Sequence, residues 1–151
     1  MIGIRHFGIV VSDLERALHF YRDLLGLKAV RASDEQGAYL DNMLGLSGTR
    51  VLTVKLGASS GQTLVELLEF KSHRVEGGVK QGLTAIGPTH VAFTVSDLDQ
   101  LFARLTEQSV RFNAPPQLAP DGKAKVTFCF DPDGTPIELV EELGPLAKAR
   151  V

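Results

Sequence analysis

Hydrophobic positions alternate near the start of the chain. Phe7, Ile9 and Val11 fall on one side of an extended segment, and Val91, Phe93 and Val95 repeat the pattern later. Strand side chains point to opposite faces in turn, so the bulky set predicts a core face. The other side carries His6, Gly8 and Val10 in the first copy and His90, Ala92 and Thr94 in the second. A small residue thus follows each histidine on its own face and leaves room for a ligand. Each strand, the first spanning Gly3 to Val11 and the second 88–95, runs into a helical pattern. Ser12 with Glu15 reads as a capping box, Leu14, Ala17, Leu18, Tyr21, Leu24 and Leu25 recur at helical spacing, and Gly26 is placed to stop the helix. In the second copy Ser96 is the expected cap, followed by Leu98, Leu101, Phe102 and Leu105.

Further strands are predicted near 27–32, 37–41, 50–57 and 62–70, with turns at Ser33-Asp34, Gly45, Gly48 and Ser59-Ser60-Gly61. The second copy predicts strands near 110–113, 124–130 and 136–142, with a hairpin turn at Asp131-Pro132-Asp133-Gly134. Leu52, Val54, Leu56 and Val126, Phe128, Phe130 mark expected core faces, which leaves Thr53, Lys55, Thr127 and Cys129 opposite them. The expected organisation is one domain over 1–151. It comprises module one at about 1–70, a connector or lid at 71–87 containing Gly77, Gly78, Gly82 and Gly87, module two at about 88–142, and a tail at 143–151.

The repeat extends to chemistry. His6 and His90 each precede a Val-Ser-Asp-Leu segment at the same offset, and each copy closes on a strand with carboxylates, Val65-Glu66-Leu67-Leu68-Glu69 and Ile137-Glu138-Leu139-Val140-Glu141. Glu66 shares a strand face with Leu64, Leu68 and Phe70, where an unpaired carboxylate carries a large desolvation cost. A divalent cation held by His6, Glu66, His90 and Glu138 would neutralise it, and this nitrogen and oxygen set suits Zn, Ni, Co, Mn or Fe(II). Positions in the coordination shell left open to substrate oxygens would serve Lewis-acid catalysis. Glu69, Glu141 and Glu142 read as rim charges, His19 and His73 as solvated side chains, and Cys129 as a small buried hydrophobe. Arg50, Lys55, Lys71, Arg74, Lys80, Lys123 and Lys125 are candidates for binding a substrate anion.

Composition narrows the partners. Sixteen Lys and Arg against eighteen Asp and Glu give a net charge of −2 with no long run of one sign, so neither nucleic acid nor a membrane surface is an expected partner. One cysteine excludes an internal disulfide, no basic segment leads into an apolar run, and no apolar stretch approaches the length of a membrane span. A cytoplasmic protein acting on a small molecule is the expectation.

The paired His-x4-Val-Ser-Asp-Leu segments, Phe20-Tyr21-Arg22-Asp23-Leu24-Leu25-Gly26-Leu27 and Asp131-Pro132-Asp133-Gly134-Thr135-Pro136-Ile137-Glu138-Leu139-Val140-Glu141 resemble the vicinal oxygen chelate superfamily. That superfamily includes glyoxalase I, methylmalonyl-CoA epimerase, extradiol dioxygenases and the fosfomycin and bleomycin resistance proteins. The resemblance implies an α+β fold of two tandem βαβββ modules forming a cup-shaped half-barrel, and one metal on His6, Glu66, His90 and Glu138. It is similar in ligand pattern to glyoxalase I and methylmalonyl-CoA epimerase, which implies lyase, isomerase or epimerase chemistry with Glu66 or Glu138 as the base. Extradiol dioxygenases use a triad equivalent to His6, His90 and Glu138, without a ligand at Glu66, and bleomycin resistance proteins bind without metal or turnover. These are the alternative expectations. Bacterial-type glyoxalase I holds glutathione with an arginine and an asparagine where this chain has Val10 and Glu69. The resemblance also implies a homodimer.

Overall fold

A strand needs a partner, and in each copy the first strand finds it in the last. The structure is a computed structural model that describes residues 4–58, 63–75, 83–84 and 86–144. β1 (Phe7–Val10) runs parallel to β4 (Thr63–Phe70), which pairs antiparallel with β3 (Arg50–Gly57), itself antiparallel to β2 (Lys28–Gln36). The sheet order is β1-β4-β3-β2. In the second copy β5 (Val91–Thr94), β6 (Gln117–Leu118), β7 (Ala124–Phe130) and β8 (Pro136–Glu142) repeat the senses in the order β5-β8-β7-β6. Parallel pairing requires a crossover, and α1 (Leu14–Leu18) and α3 (Leu98–Glu107) begin those crossovers. The fold is therefore α+β, with two compact units, Met1–Val79 and Lys80–Val151, each built on a four-stranded mixed sheet.

Both helices start one residue later than the serines suggest. Asp13 caps α1 by accepting from Arg16 N at 2.9 Å, while Ser12 Oγ accepts from Arg16 Nη2 at 2.8 Å. Asp97 caps α3 by accepting from Gln100 N at 3.1 Å. A carboxylate at this position adds a favourable charge at the positive end of the helix to the hydrogen bond that a serine supplies. Glu141 joins it, accepting from the backbone N–H of Asp97 at 3.2 Å and of Leu98 at 3.1 Å. Glu141 is thus a capping group rather than the rim charge expected from the sequence. Asp97 holds a left-handed φ of 50°, so its side chain maintains a turn that an alanine would strain. Asp97→Ala is expected to destabilise the protein by about 1–2 kcal/mol, read as a lower urea midpoint.

After Leu18 the first helix widens into π-helical bonding over His19–Leu24. Leu25 N bonds Phe20 O at 3.0 Å and Leu27 N bonds Tyr21 O at 3.1 Å, and Gly26 ends the turn at a φ of 83°. The wider turn buries two consecutive aromatics, Phe20 and Tyr21, whose rings meet edge to face at 5.0 Å.

Three local expectations are corrected. The strand expected at 37–41 is a helix, α2 (Ala38–Leu44). Its Ala, Leu and Met are helix formers, Leu40 is buried, and Gly45 closes it at a φ of 69°. Ser33-Asp34 lies inside β2, because pairing with Thr53 and Leu52 extends the strand through it. Arg50 also grips Asp34 there at 3.0 and 2.8 Å, holding that carboxyl below its ordinary pKa. Residues 110–113 make only a bridge between Phe112 and Cys129, and the strand forms instead at β6. Pro115 and Pro116 intervene, and a proline has no N–H to extend a ladder.

The core faces follow from register. Ile9, Val54, Leu56, Val65 and Leu67 are buried in the first unit, whereas Phe7, expected among them, is exposed at the strand's beginning. In β7 the expectation is reversed: Thr127 and Cys129 are buried, paired with Leu139 and Ile137, and Phe128 lies on the opposite, half-open face. Size misled, because the covered face is set by what a residue stands beside. Thr127 is accommodated by donating its hydroxyl to Ala114 O at 2.6 Å. Burial pushes the Cys129 thiol up to about 12, so it remains a neutral packing group. The hairpin turn forms as expected, with Asp131 Oδ1 accepting from Asp133 N at 3.0 Å and Thr135 N at 2.7 Å. The expectations for Gly3, the turn at Ser59-Ser60-Gly61, Gly77, Gly78, Lys80, Gly82 and most of the tail lie outside the described residues.

Candidate metal centre

Register places the chemistry. Glu66 on β4 is paired with Gly8 on β1 and with Lys55 on β3, and directly opposed residues share a face of the sheet. His6 stands two residues before Gly8, on the same side. The outcome is a cluster in the first unit, with His6 Nε2 at 2.9 Å from Glu66 Oε2 and Lys55 Nζ at 3.3 Å from Glu66 Oε1. The Glu66 side chain is only 14% exposed. In this structure its carboxylate is met locally by an ammonium group and by an imidazole nitrogen.

The second unit repeats the arrangement with one change. Glu138 on β8 is paired with Ala92 on β5 and with Phe128 on β7, and His90 Nε2 lies 3.2 Å from Glu138 Oε2. Phe128 occupies the register place that Lys55 holds in the first unit, and its ring meets the His90 ring edge to face at 5.2 Å. Thr89 Oγ1 is 2.9 Å from His90 Nδ1, so both ring nitrogens of His90 have a partner. A bond at Nδ1 orients an imidazole and selects which nitrogen is free to bind elsewhere.

Within each pair the donor spacing would suit a divalent ion as well as it suits the direct contact seen. Nitrogen and oxygen ligands bind such metals at about 2.0–2.2 Å, which sets adjacent ligand atoms roughly 3 Å apart. The His–Glu separations of 2.9 and 3.2 Å match that spacing in each unit. Among the described residues, no three His, Cys, Asp or Glu stand together as one group, so each unit supplies a pair.

Other candidates sort by their partners. Arg50 is bound to Asp34, Lys71 to Glu69 at 2.6 Å, and Lys125 to Asp99. Arg74 and Lys123 are exposed. His19 sits on the exposed helix face at 3.4 Å from Asp23, and His73 Nδ1 is 2.8 Å from Ser72 Oγ. Among the described residues, Lys55 is the candidate cation that meets Glu66. Sequence reasoning left it unranked among seven and missed Phe128 and Thr89 altogether. The signal for Lys55 was its alternation with Val54 and Leu56, which puts it on the face of Glu66.

A duplicated βαβββ unit with a histidine ahead of its first strand and a glutamate on its last defines a glyoxalase-type protein. The match to the Glyoxalase/Bleomycin resistance protein/Dioxygenase superfamily model spans residues 3–139, and the chain belongs to that superfamily. It is 32% identical to the uncharacterized protein YwkD of Bacillus subtilis, over 93% of this chain and 97% of that one. It is 30% identical to lactoylglutathione lyase of Schizosaccharomyces pombe, covering 98% of this chain and half of that longer protein. The crystal structure of a glyoxalase family protein from Bacillus cereus superposes with a TM-score of 0.85 at 23% identity, over 95% of this chain and 96% of the other. No described helix is long and apolar enough to cross a membrane.

Proposed function

We propose that this chain is a divalent-metal-dependent lyase, isomerase or epimerase that moves a proton on a small substrate bound through vicinal oxygens. In this reading His6, Glu66, His90 and Glu138 together hold one metal ion. The observation that carries it is the recurrence of a His–Glu pair with metal-ligand spacing at the same register position in each unit. A divalent ion so held would polarise the substrate's oxygens and make the adjacent C–H more acidic. The residues then divide the work. Glu66 and Glu138 are the bases available to take and return that proton. His6 Nε2 stands beside Glu66 Oε2 and His90 Nε2 beside Glu138 Oε2, so each pair would offer a nitrogen and an oxygen donor to the same ion. Phe128 keeps water from one side of His90, and Thr89 fixes its ring. The similarity to lactoylglutathione lyase supports lyase chemistry, while Val10 and Glu69 argue for a substrate other than a glutathione adduct. The ion is one of Zn, Ni, Co, Mn or Fe(II), and the proposal includes a cytoplasmic homodimer.

Protein loaded with each ion in turn, incubated in deuterium oxide with 2-oxo acids or acyl thioesters, is expected to exchange the hydrogen beside the carbonyl. Oxygen uptake with catechols by the iron-loaded protein, without any such exchange, would overturn the assignment.

A further inference from the structure

We propose that Lys55 selects a substrate bearing a free carboxylate next to its chelating oxygens. This deepens the reading above and rests on it. Of the cations that could bind a substrate anion, Arg50, Lys71 and Lys125 are already matched by Asp34, Glu69 and Asp99. Among the described residues Lys55 is matched only by Glu66, itself a site residue that it shares with His6.

The repeat provides an internal control. Lys55 pairs in register with Glu66, and Phe128 pairs in register with Glu138. The fold of a unit therefore places no demand for a cation at this position, because an aromatic ring fills it in the other copy. A lysine side chain only 26% exposed on a sheet face carries a desolvation cost that packing does not explain. A substrate carboxylate approaching Glu66 would meet like charge, and Lys55 reverses that repulsion. Its flexible stem and three N–H donors let it bridge Glu66 and a second carboxylate at once.

Distance limits the substrate. Nζ stands 3.3 Å from Glu66 Oε1, and a charge-assisted bond spans about 2.7–2.9 Å. The carboxylate must therefore lie close to the chelating oxygens, as in a short-chain acid whose carboxylate is separate from an oxo, hydroxy or acyl group. A long substrate charged only at its far end does not fit.

Two hydroxamates with one chelating group test this, acetohydroxamate without a carboxylate and succinomonohydroxamate with one. Calorimetric titrations use metal-loaded wild type, Lys55→Met and Lys55→Arg, after the metal affinity of each has been measured. Wild type is expected to bind succinomonohydroxamate about tenfold more tightly than acetohydroxamate. Lys55→Met should lose that preference with acetohydroxamate binding unchanged, and Lys55→Arg should keep most of it. Metal affinity should be unchanged or higher in Lys55→Met, since a neighbouring positive charge is gone. A metal-loaded wild type without the preference overturns the role of Lys55 alone, as does a Lys55→Met protein that keeps the preference. Equal loss of both hydroxamates in Lys55→Met shows that Lys55 only holds Glu66 in place, and overturns it too. A wild type that takes up no metal overturns the metal reading and this inference with it.

Discussion

Glu138→Ala is expected to lower metal affinity by at least about 100-fold, because loss of residues that merely support metal ligands already costs 10–100-fold. Turnover should fall to background in parallel. The fold should survive the change. Glu138 and His90 are 23% and 34% exposed, and pairs this accessible contribute no more than about 1 kcal/mol to stability. Phe128 still stands against the imidazole, so His90 retains a packing partner after its carboxylate is lost. A Glu138→Ala protein with wild-type metal affinity would remove Glu138 from the ligand set. Glu66→Ala separates the two kinds of chemistry in the same assay: proton transfer should be lost with it, whereas triad oxygen chemistry on His6, His90 and Glu138 would persist.

The adjacent residue should behave in the opposite way. Leu139→Ala is expected to cost about 2–5 kcal/mol in unfolding free energy, the range for truncating a buried leucine to alanine. Leu139 is fully buried, in register with Phe93 on β5 and Thr127 on β7, so the vacated volume has sheet on both sides and little freedom to collapse. The loss is a large share of the roughly 5–15 kcal/mol that stabilises an ordinary domain. Urea unfolding should show a lower midpoint at an unchanged slope, while the folded fraction binds metal as wild type does. A cost below about 1 kcal/mol would contradict the placement of Leu139 in the core. The two neighbours thus test one strand's two faces, Glu138 for chemistry and Leu139 for packing.

Alternation and repetition made much of this legible. Both glutamates share a face and a register with the small residues that follow the histidines, Gly8 and Ala92, because a period of two leaves little choice once one face is buried. What was not legible depended on neighbours distant in sequence. Phe128 looks like core by size, yet its place opposite Glu138 is set by the β7–β8 register. Cys129 and Thr127 are buried because Ile137 and Leu139 are their partners. Glu141 looks like a surface charge until α3 brings its first N–H groups to it. The helix at Ala38–Leu44 was hidden by its brevity, since seven residues carry too few turns to display a period. The same limit applies to the site. The repeat marked out His6, Glu66, His90 and Glu138, but Lys55 became distinct from the other described cations only when the partners of Arg50, Lys71 and Lys125 and the exposure of Arg74 and Lys123 were known.

The proposal that both pairs serve a single metal ion is tested by a metal titration at micromolar protein. Wild type should take up one divalent equivalent per chain, and His6→Ala and His90→Ala should each weaken binding of that same equivalent by at least about tenfold. Two equivalents in the wild type, with each substitution abolishing one and sparing the other, would contradict it.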